Sequence, residues 1–125
     1  MFKSKNGITW FVSLSVALFF IIAGYSKLVG TEEMVQVFDL FGLPAWFRIV
    51  IGIIEVTGGV LLLIPSLAGF SAFILAILMI SAFAFHLVFT PISHGIPAIV
   101  ILVLLVYIVL VRKNTVTRIF QQYIR

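Results

Sequence analysis

The chain has 125 residues, of which 63% are hydrophobic and 10% charged, with a mean hydropathy of +1.32. That much apolar surface cannot be hidden inside one soluble domain of this length, so lipid is its expected solvent. The formal net charge of +4 is no nucleic-acid signal, because most basic residues flank apolar runs at the two chain ends, and the absence of cysteine excludes thiolate metal sites, Fe–S clusters and disulfide exchange by the chain itself.

Four apolar runs, at residues 8–28, 47–64, 67–89 and 96–111, each approach the roughly 20 residues needed to cross ~30 Å of hydrocarbon. The first follows Lys3 and Lys5, as a signal peptide would. It is longer than a usual signal core, and Gly24-Tyr25-Ser26-Lys27 lacks a small-x-small cleavage pattern, so an uncleaved helix is expected. Between the first two runs, Thr31 suits a helix N-cap, with Glu32 and Glu33 in the favourable first turn. Met34, Val37, Phe38 and Phe41 recur at helical spacing before Gly42 and Pro44 stop the helix. A short helix lying on the membrane surface is predicted here. Pro65 and Gly69 mark a turn between the second and third runs; Pro91, His94, Gly95 and Pro97 mark the next. The fourth run is short but almost purely Ile, Leu and Val. In the tail, residues 112–125, an apolar stripe of Val116, Ile119, Phe120, Tyr123 and Ile124 beside Arg118, Gln121, Gln122 and Arg125 suits an amphipathic anchor on the inner surface.

Orientation follows from the basic residues. Lys3 and Lys5 precede the first run; Arg112, Lys113, Arg118 and Arg125 follow the last. The loop at 29–46 holds Glu32, Glu33 and Asp39 and no Lys or Arg. The positive-inside tendency then predicts an all-α integral membrane protein of the cell (cytoplasmic) membrane. It is an antiparallel four-transmembrane-helix bundle, one domain over residues 1–125, with N- and C-termini cytoplasmic and a short interfacial helix in the first outer loop.

The informative residues are those that are costly in lipid, where an ionised side chain at mid-helix costs ~2.5–3.5 kcal/mol. Lys27 lies near the outer end of the first run. Glu55 lies about 8 residues into the second, or ~12 Å at 1.5 Å per residue, and His86 about 3 residues from the end of the third, or ~5 Å deep. All three fall in the outer half, where Lys27 can reach Glu55 and reduce the cost of burying both. Arg48 is a rival partner for Glu55, and His94 in the outer turn can join. Gly52, Glu55 and Gly59 share one face of the second run; Ser13, Ala17, Gly24 and Lys27 share one face of the first; Met79 and Ala82 share that of His86. Small residues let helices approach, so these faces should point at neighbours. Each residue also has a plainer role: Lys27 as a snorkelling lysine, His86 as an interhelical hydrogen-bond donor, and Glu55 as half of an ion pair that only fixes packing.

Gly24-Tyr25-Ser26-Lys27-Leu28 resembles the Gly-x-x-Lys-Leu signature of DoxX and DoxX-like membrane proteins. Gly52-Ile53-Ile54-Glu55-Val56-Thr57-Gly58-Gly59 resembles that family's second-helix Gly-x-x-Glu segment, and His86 sits where the third helix often ends in a polar position. The resemblance covers residues 7–111. It implies a four-helix bundle in a bacterial inner membrane. The family is named for a subunit of a membrane thiosulfate–quinone oxidoreductase, and some members are linked to oxidative-stress complexes. With no soluble redox domain in the sequence, catalysis by this chain alone is not expected.

Two functions compete. In the first, the chain is a redox-associated membrane subunit, with quinone as the candidate cofactor and a membrane or extracytoplasmic redox protein as partner. The catalytic residues are unknown; Lys27, Glu55 and His86 form the candidate polar cluster, with Tyr25, Arg48 and His94 as accessory candidates, and Tyr25, Trp46, Phe83 and Phe85 are expected to line a headgroup pocket. In the second, the chain is a non-catalytic partner that stabilises or assembles another protein, and the cluster is structural. A small transporter is a weaker reading, because small multidrug pumps carry their glutamate in the first helix. Haem is disfavoured, since His86 and His94 are separated by a proline-containing turn rather than set on facing helices. No metal-ligand spacing, phosphate loop or nucleophile–base pair is present, and the oligomeric state is not encoded in any recognisable way.

Overall fold

A computed structural model of the protein describes the backbone of residues 2–124, and their side chains except at 2–6, 92, 113–120 and 123–124. Five α-helices account for nearly all of it: α1 (Phe2–Val29), α2 (Glu32–Leu40), α3 (Ala45–Leu61), α4 (Pro65–Phe89) and α5 (Ile96–Ile124), with a 3₁₀ turn at Ile92–Gly95 between the last two. No strand occurs among the described residues. Three helical stretches are long and apolar enough to cross a membrane, Gly7–Val29, Pro65–Phe89 and Ser93–Arg112. The 17-residue α3 spans about 25 Å at the helical rise. It makes a fourth crossing when α2 and α3, between which the axis turns by 116°, are taken as one broken span.

The boundaries of α3 and α4 differ from the hydropathy pattern, and the cause is proline. Pro65 disfavours helical backbone at the residue before it, and Ile64 is extended at φ −103°, ψ 108°. The turn therefore falls at residues 62–64, and Pro65 opens α4, where its missing N–H costs nothing. Gly69, expected in that turn, instead lies buried inside α4. At the other end, α5 continues unbroken past residue 111 to Ile124. The side chains of the proposed apolar stripe (Val116, Ile119, Phe120, Tyr123 and Ile124) all lie outside those described.

α1, α3, α4 and α5 form a ring in which α1 packs tightly on α3 and α4 on α5, while α3–α4 and α1–α5 meet more lightly. Glycine explains the α1–α3 pairing. The buried residues of α3 are Gly52, Glu55, Gly58 and Gly59, so that face is mostly bare backbone. A Cβ at Gly59 would lie 2.9 Å from the Ala17 carbonyl, a distance that only glycine permits. The shared core, including Val16, Phe20, Leu62, Ala72, Leu75, Leu105 and Ile108, fills the end of the ring near the α3–α4 turn. At that same end, the Thr9 and Tyr107 hydroxyls lie 3.2 Å apart across α1 and α5, and the Arg112 guanidinium sits 5.8 Å from the centre of the Trp10 ring.

α3 and α4 are joined near their turn by one buried polar contact, in which the Ser71 hydroxyl donates to the Gly58 carbonyl at 2.6 Å. Ser71→Ala should lower stability by about 0.6–2 kcal/mol, the usual range for an interhelical hydrogen bond in a membrane. A shift in the detergent-unfolding midpoint measures this, and an unshifted midpoint would show that the contact contributes nothing. Beyond this junction the two helices part, and the space between them holds the candidate site.

Candidate functional site

The site begins with a close crossing. A Cβ at Gly24 would lie 2.7 Å from the Gly52 carbonyl, and one at Gly52 would lie 2.9 Å from the Gly24 carbonyl, so α1 and α3 touch backbone to backbone. Lys27 and Glu55 each stand three residues after their glycine. Because the helices are antiparallel, the two side chains start on opposite sides of the crossing, roughly 9 Å apart along the axis at 1.5 Å per residue. Side chains lean toward their own helix N-terminus, so Lys27 and Glu55 both lean back toward the crossing and meet there. The result is a salt bridge with Lys27 Nζ 2.8 Å from Glu55 Oε1. The glutamate side chain is 2% exposed and the lysine 16%, so the ammonium stands between the carboxylate and open space.

Arg48 does not compete for Glu55. Its guanidinium donates to the Lys27 main-chain carbonyl and lies against Gly30, so it serves the orphan carbonyls at the C-terminus of α1, where a cation is favoured. Gly30 and Gly42, with φ of +72° and +74°, are the positive-φ glycines, and they bracket α2. Each permits a sharp change of direction that a side chain would strain. Thr31 caps α2 as expected, its hydroxyl accepting from the Met34 N–H at 3.4 Å.

Aromatic rings tie this segment to α4. The Phe41 ring stacks on Phe85 at 5.1 Å, meets Phe89 at 5.7 Å and stands edge-on to the His86 imidazole at 5.3 Å. His86 Nδ1 is 3.0 Å from the Thr90 hydroxyl, which itself donates to the His86 carbonyl at 2.8 Å. With that hydroxyl proton committed, Nδ1 is assigned the ring N–H, and a neutral imidazole keeps Nε2 as an acceptor. The His94 ring centre is 6.4 Å from that of His86.

Between α1 and α3 on one side and α4 on the other lies a cavity of about 730 Å³, with α2 across its end. Lys27, Glu55, His86 and His94 all line it, as do Met79 and Ala82. His86 is within bonding distance of Thr90 rather than of the Lys27–Glu55 pair, so the three cluster residues share a cavity without forming one hydrogen-bonded triad. Of the four aromatic residues expected in a headgroup pocket, Phe85 lines the cavity. Tyr25 and Trp46 are 63% and 65% exposed and face away, and Phe83 packs behind, against Gly95. The rest of the wall is mostly apolar, with Phe19, Phe38, Phe41, Phe47, Ile51 and Leu78 among the lining. The role of Phe41 as the hub of an aromatic cluster escapes sequence reasoning; the only local signal is the four-residue spacing of Phe85 and Phe89. No group of three or more His, Asp or Glu residues able to hold a metal occurs among the described residues.

The family model described as the DoxX-like family matches residues 11–108, and the chain belongs to that family. No curated protein and no solved structure matches it.

Proposed function

We propose, from the premise of a DoxX-like membrane protein, that this chain is a redox-associated membrane subunit whose cavity holds a lipophilic carrier of the quinone class. In this reading four helices cross the cytoplasmic membrane, both termini are cytoplasmic, and α2 lies on the outer surface over the cavity. The observation that carries it is the joining of an apolar space of about 730 Å³ to the buried Lys27–Glu55 pair at 2.8 Å. Ligand sites of this kind are mostly apolar with a few convergent polar groups, and the volume is in their usual range. Lys27 offers N–H donors to a carbonyl oxygen, and a neutral His86 offers an acceptor to a hydroxyl. Electrons would reach and leave the carrier through a partner protein, which makes the chain a holder and proton donor rather than a complete enzyme.

The test is titration of the purified chain in lipid nanodiscs with a decyl-tailed benzoquinone, with empty nanodiscs subtracted. Saturable binding should be weakened about tenfold, ~1.4 kcal/mol, by Glu55→Gln, which loosens the ammonium from its place. Binding absent from the wild type, or unchanged by the substitution, would overturn the proposal. A second reading is favoured by one observation: the pair sits one turn from the Gly24–Gly52 crossing, where it can act as a clasp between α1 and α3. The chain is then a non-catalytic assembly partner, and Glu55 substitutions should lower folded yield without altering any ligand binding.

A further inference from the structure

The cavity has two sides on which a ligand can approach, and they differ in chemistry. At the α2 end the roof is apolar, made by Met34, Val37, Phe38 and Phe41, with Glu33 and His94 at its edge. There the rings of Phe41, Phe85 and Phe89 close on one another. The other side lies where α3 and α4 meet lightly. α3 and α4 meet near their turn through Ser71, Leu75 and Gly58 and then part, and in that gap Ile51 of α3 and Leu78 and Ser81 of α4 line the cavity. Ser81 is exposed while lining it, one turn after Ile77 and next to Ile80, which are 52% and 56% exposed. Ser81 stands eight residues before the end of α4, about 12 Å along the helix, which is the depth of hydrocarbon and not of water.

We infer that the site is loaded sideways from the lipid phase, through the gap between α3 and α4 at Ser81. Its ligand is an uncharged amphiphile with a hydrogen-bond-accepting head, which reaches Lys27 while its chain trails into the bilayer. The head is uncharged because Glu55 already balances Lys27 and Glu33 adds a further negative group at the rim, so an anion would meet net negative charge in a low dielectric. A cation would meet the ammonium first, since that is the more exposed member of the pair. The Ser81 hydroxyl is satisfied by the Ile77 carbonyl at 3.1 Å, so it lines the passage without holding the ligand there. This inference rests on the reading that the cavity binds a ligand, and it adds the route and the chemistry of the head.

The test uses the whole chain in phosphatidylcholine vesicles with a photoreactive probe, a long-chain alkyl ketone carrying a mid-chain diazirine. The same chain ending in a carboxylate and a short water-soluble ketone diazirine serve as comparisons. Adducts mapped by mass spectrometry should concentrate in residues 47–55 and 78–86 and fall about tenfold with excess unlabelled ketone, or in Ser81→Trp, which plugs the gap from an exposed position. Adducts spread over all lipid-facing helices and insensitive to competition would overturn the ligand-site reading itself. Competed adducts that persist in Ser81→Trp, or strong labelling by the short water-soluble probe, would leave the site standing and overturn the lateral route. Equal labelling by the carboxylate probe would overturn the uncharged head.

Discussion

Lys27→Met should destabilise the folded protein by about 3 kcal/mol or more, because it leaves Glu55 as a buried charge without its partner. Glu55→Leu should cost less, on the order of 1–2 kcal/mol, since Lys27 lies in the last turn of α1 and can carry its ammonium toward the interface. The double variant, Lys27→Met with Glu55→Leu, should recover most of the stability, as replacing both members of a buried pair by apolar groups is often close to neutral. Unfolding in mixed micelles, read by tryptophan fluorescence, gives the four stabilities of the cycle. Losses that simply add would mean that the 2.8 Å contact carries no coupling energy. The same cycle separates the two proposed functions. If the pair is only a clasp, the double variant regains everything the wild type does. If it also serves a ligand, the double variant folds but binds no quinone analogue, because an apolar wall of the same volume has nothing to offer a carbonyl oxygen.

The sequence shows clearly what depends on local spacing and what depends on cost. Hydropathy finds the spanning helices because each must bury its own backbone in lipid. Glu55 stands out because no other charge lies so far inside an apolar run, and the small residues that share a face with Glu55 and with Lys27 mark the sides that meet a neighbouring helix. Thr31 likewise announces its helix through a contact made within one turn. Long-range geometry is what remains hidden. The Phe41 cluster joins residues far apart in the chain, and thirteen phenylalanines in an apolar sequence give no hint of which rings will meet. Arg48 looks like a partner for Glu55 until the C-terminus of α1 is seen to end beside it. A cavity is harder still, because missing atoms leave no trace in composition; it exists here because α3 and α4 part beyond Ser71 while α1 and α3 stay clasped.

That clasp makes the glycines of the crossing the most sensitive positions in the protein. Gly24→Val and Gly52→Val should each cost more than the ~1–3 kcal/mol typical of an overpacked core, and should prevent α1 and α3 from docking. At Gly24 the added carbon would meet main-chain atoms, the Gly52 carbonyl at 2.7 Å and the Val56 nitrogen at 2.9 Å. Neither can move without displacing a whole helix. Gly58→Ala is the control, since its nearest neighbours are the methyls of Leu75, at 2.8 Å and 3.0 Å, and a leucine can change rotamer for about 1 kcal/mol. Valine also makes the segment more apolar, so α1 should still insert into the membrane. The variant should then be found in the membrane fraction at normal levels, yet unfold at lower detergent strength and show faster proteolysis in the 30–44 segment that the docked pair supports. Because Lys27 and Glu55 meet only by virtue of the crossing, adding Lys27→Met to Gly24→Val should cost little more than Gly24→Val alone. Full additivity in that double variant would show that the pair forms independently of the glycine contact, and would place the organising interaction of the site elsewhere.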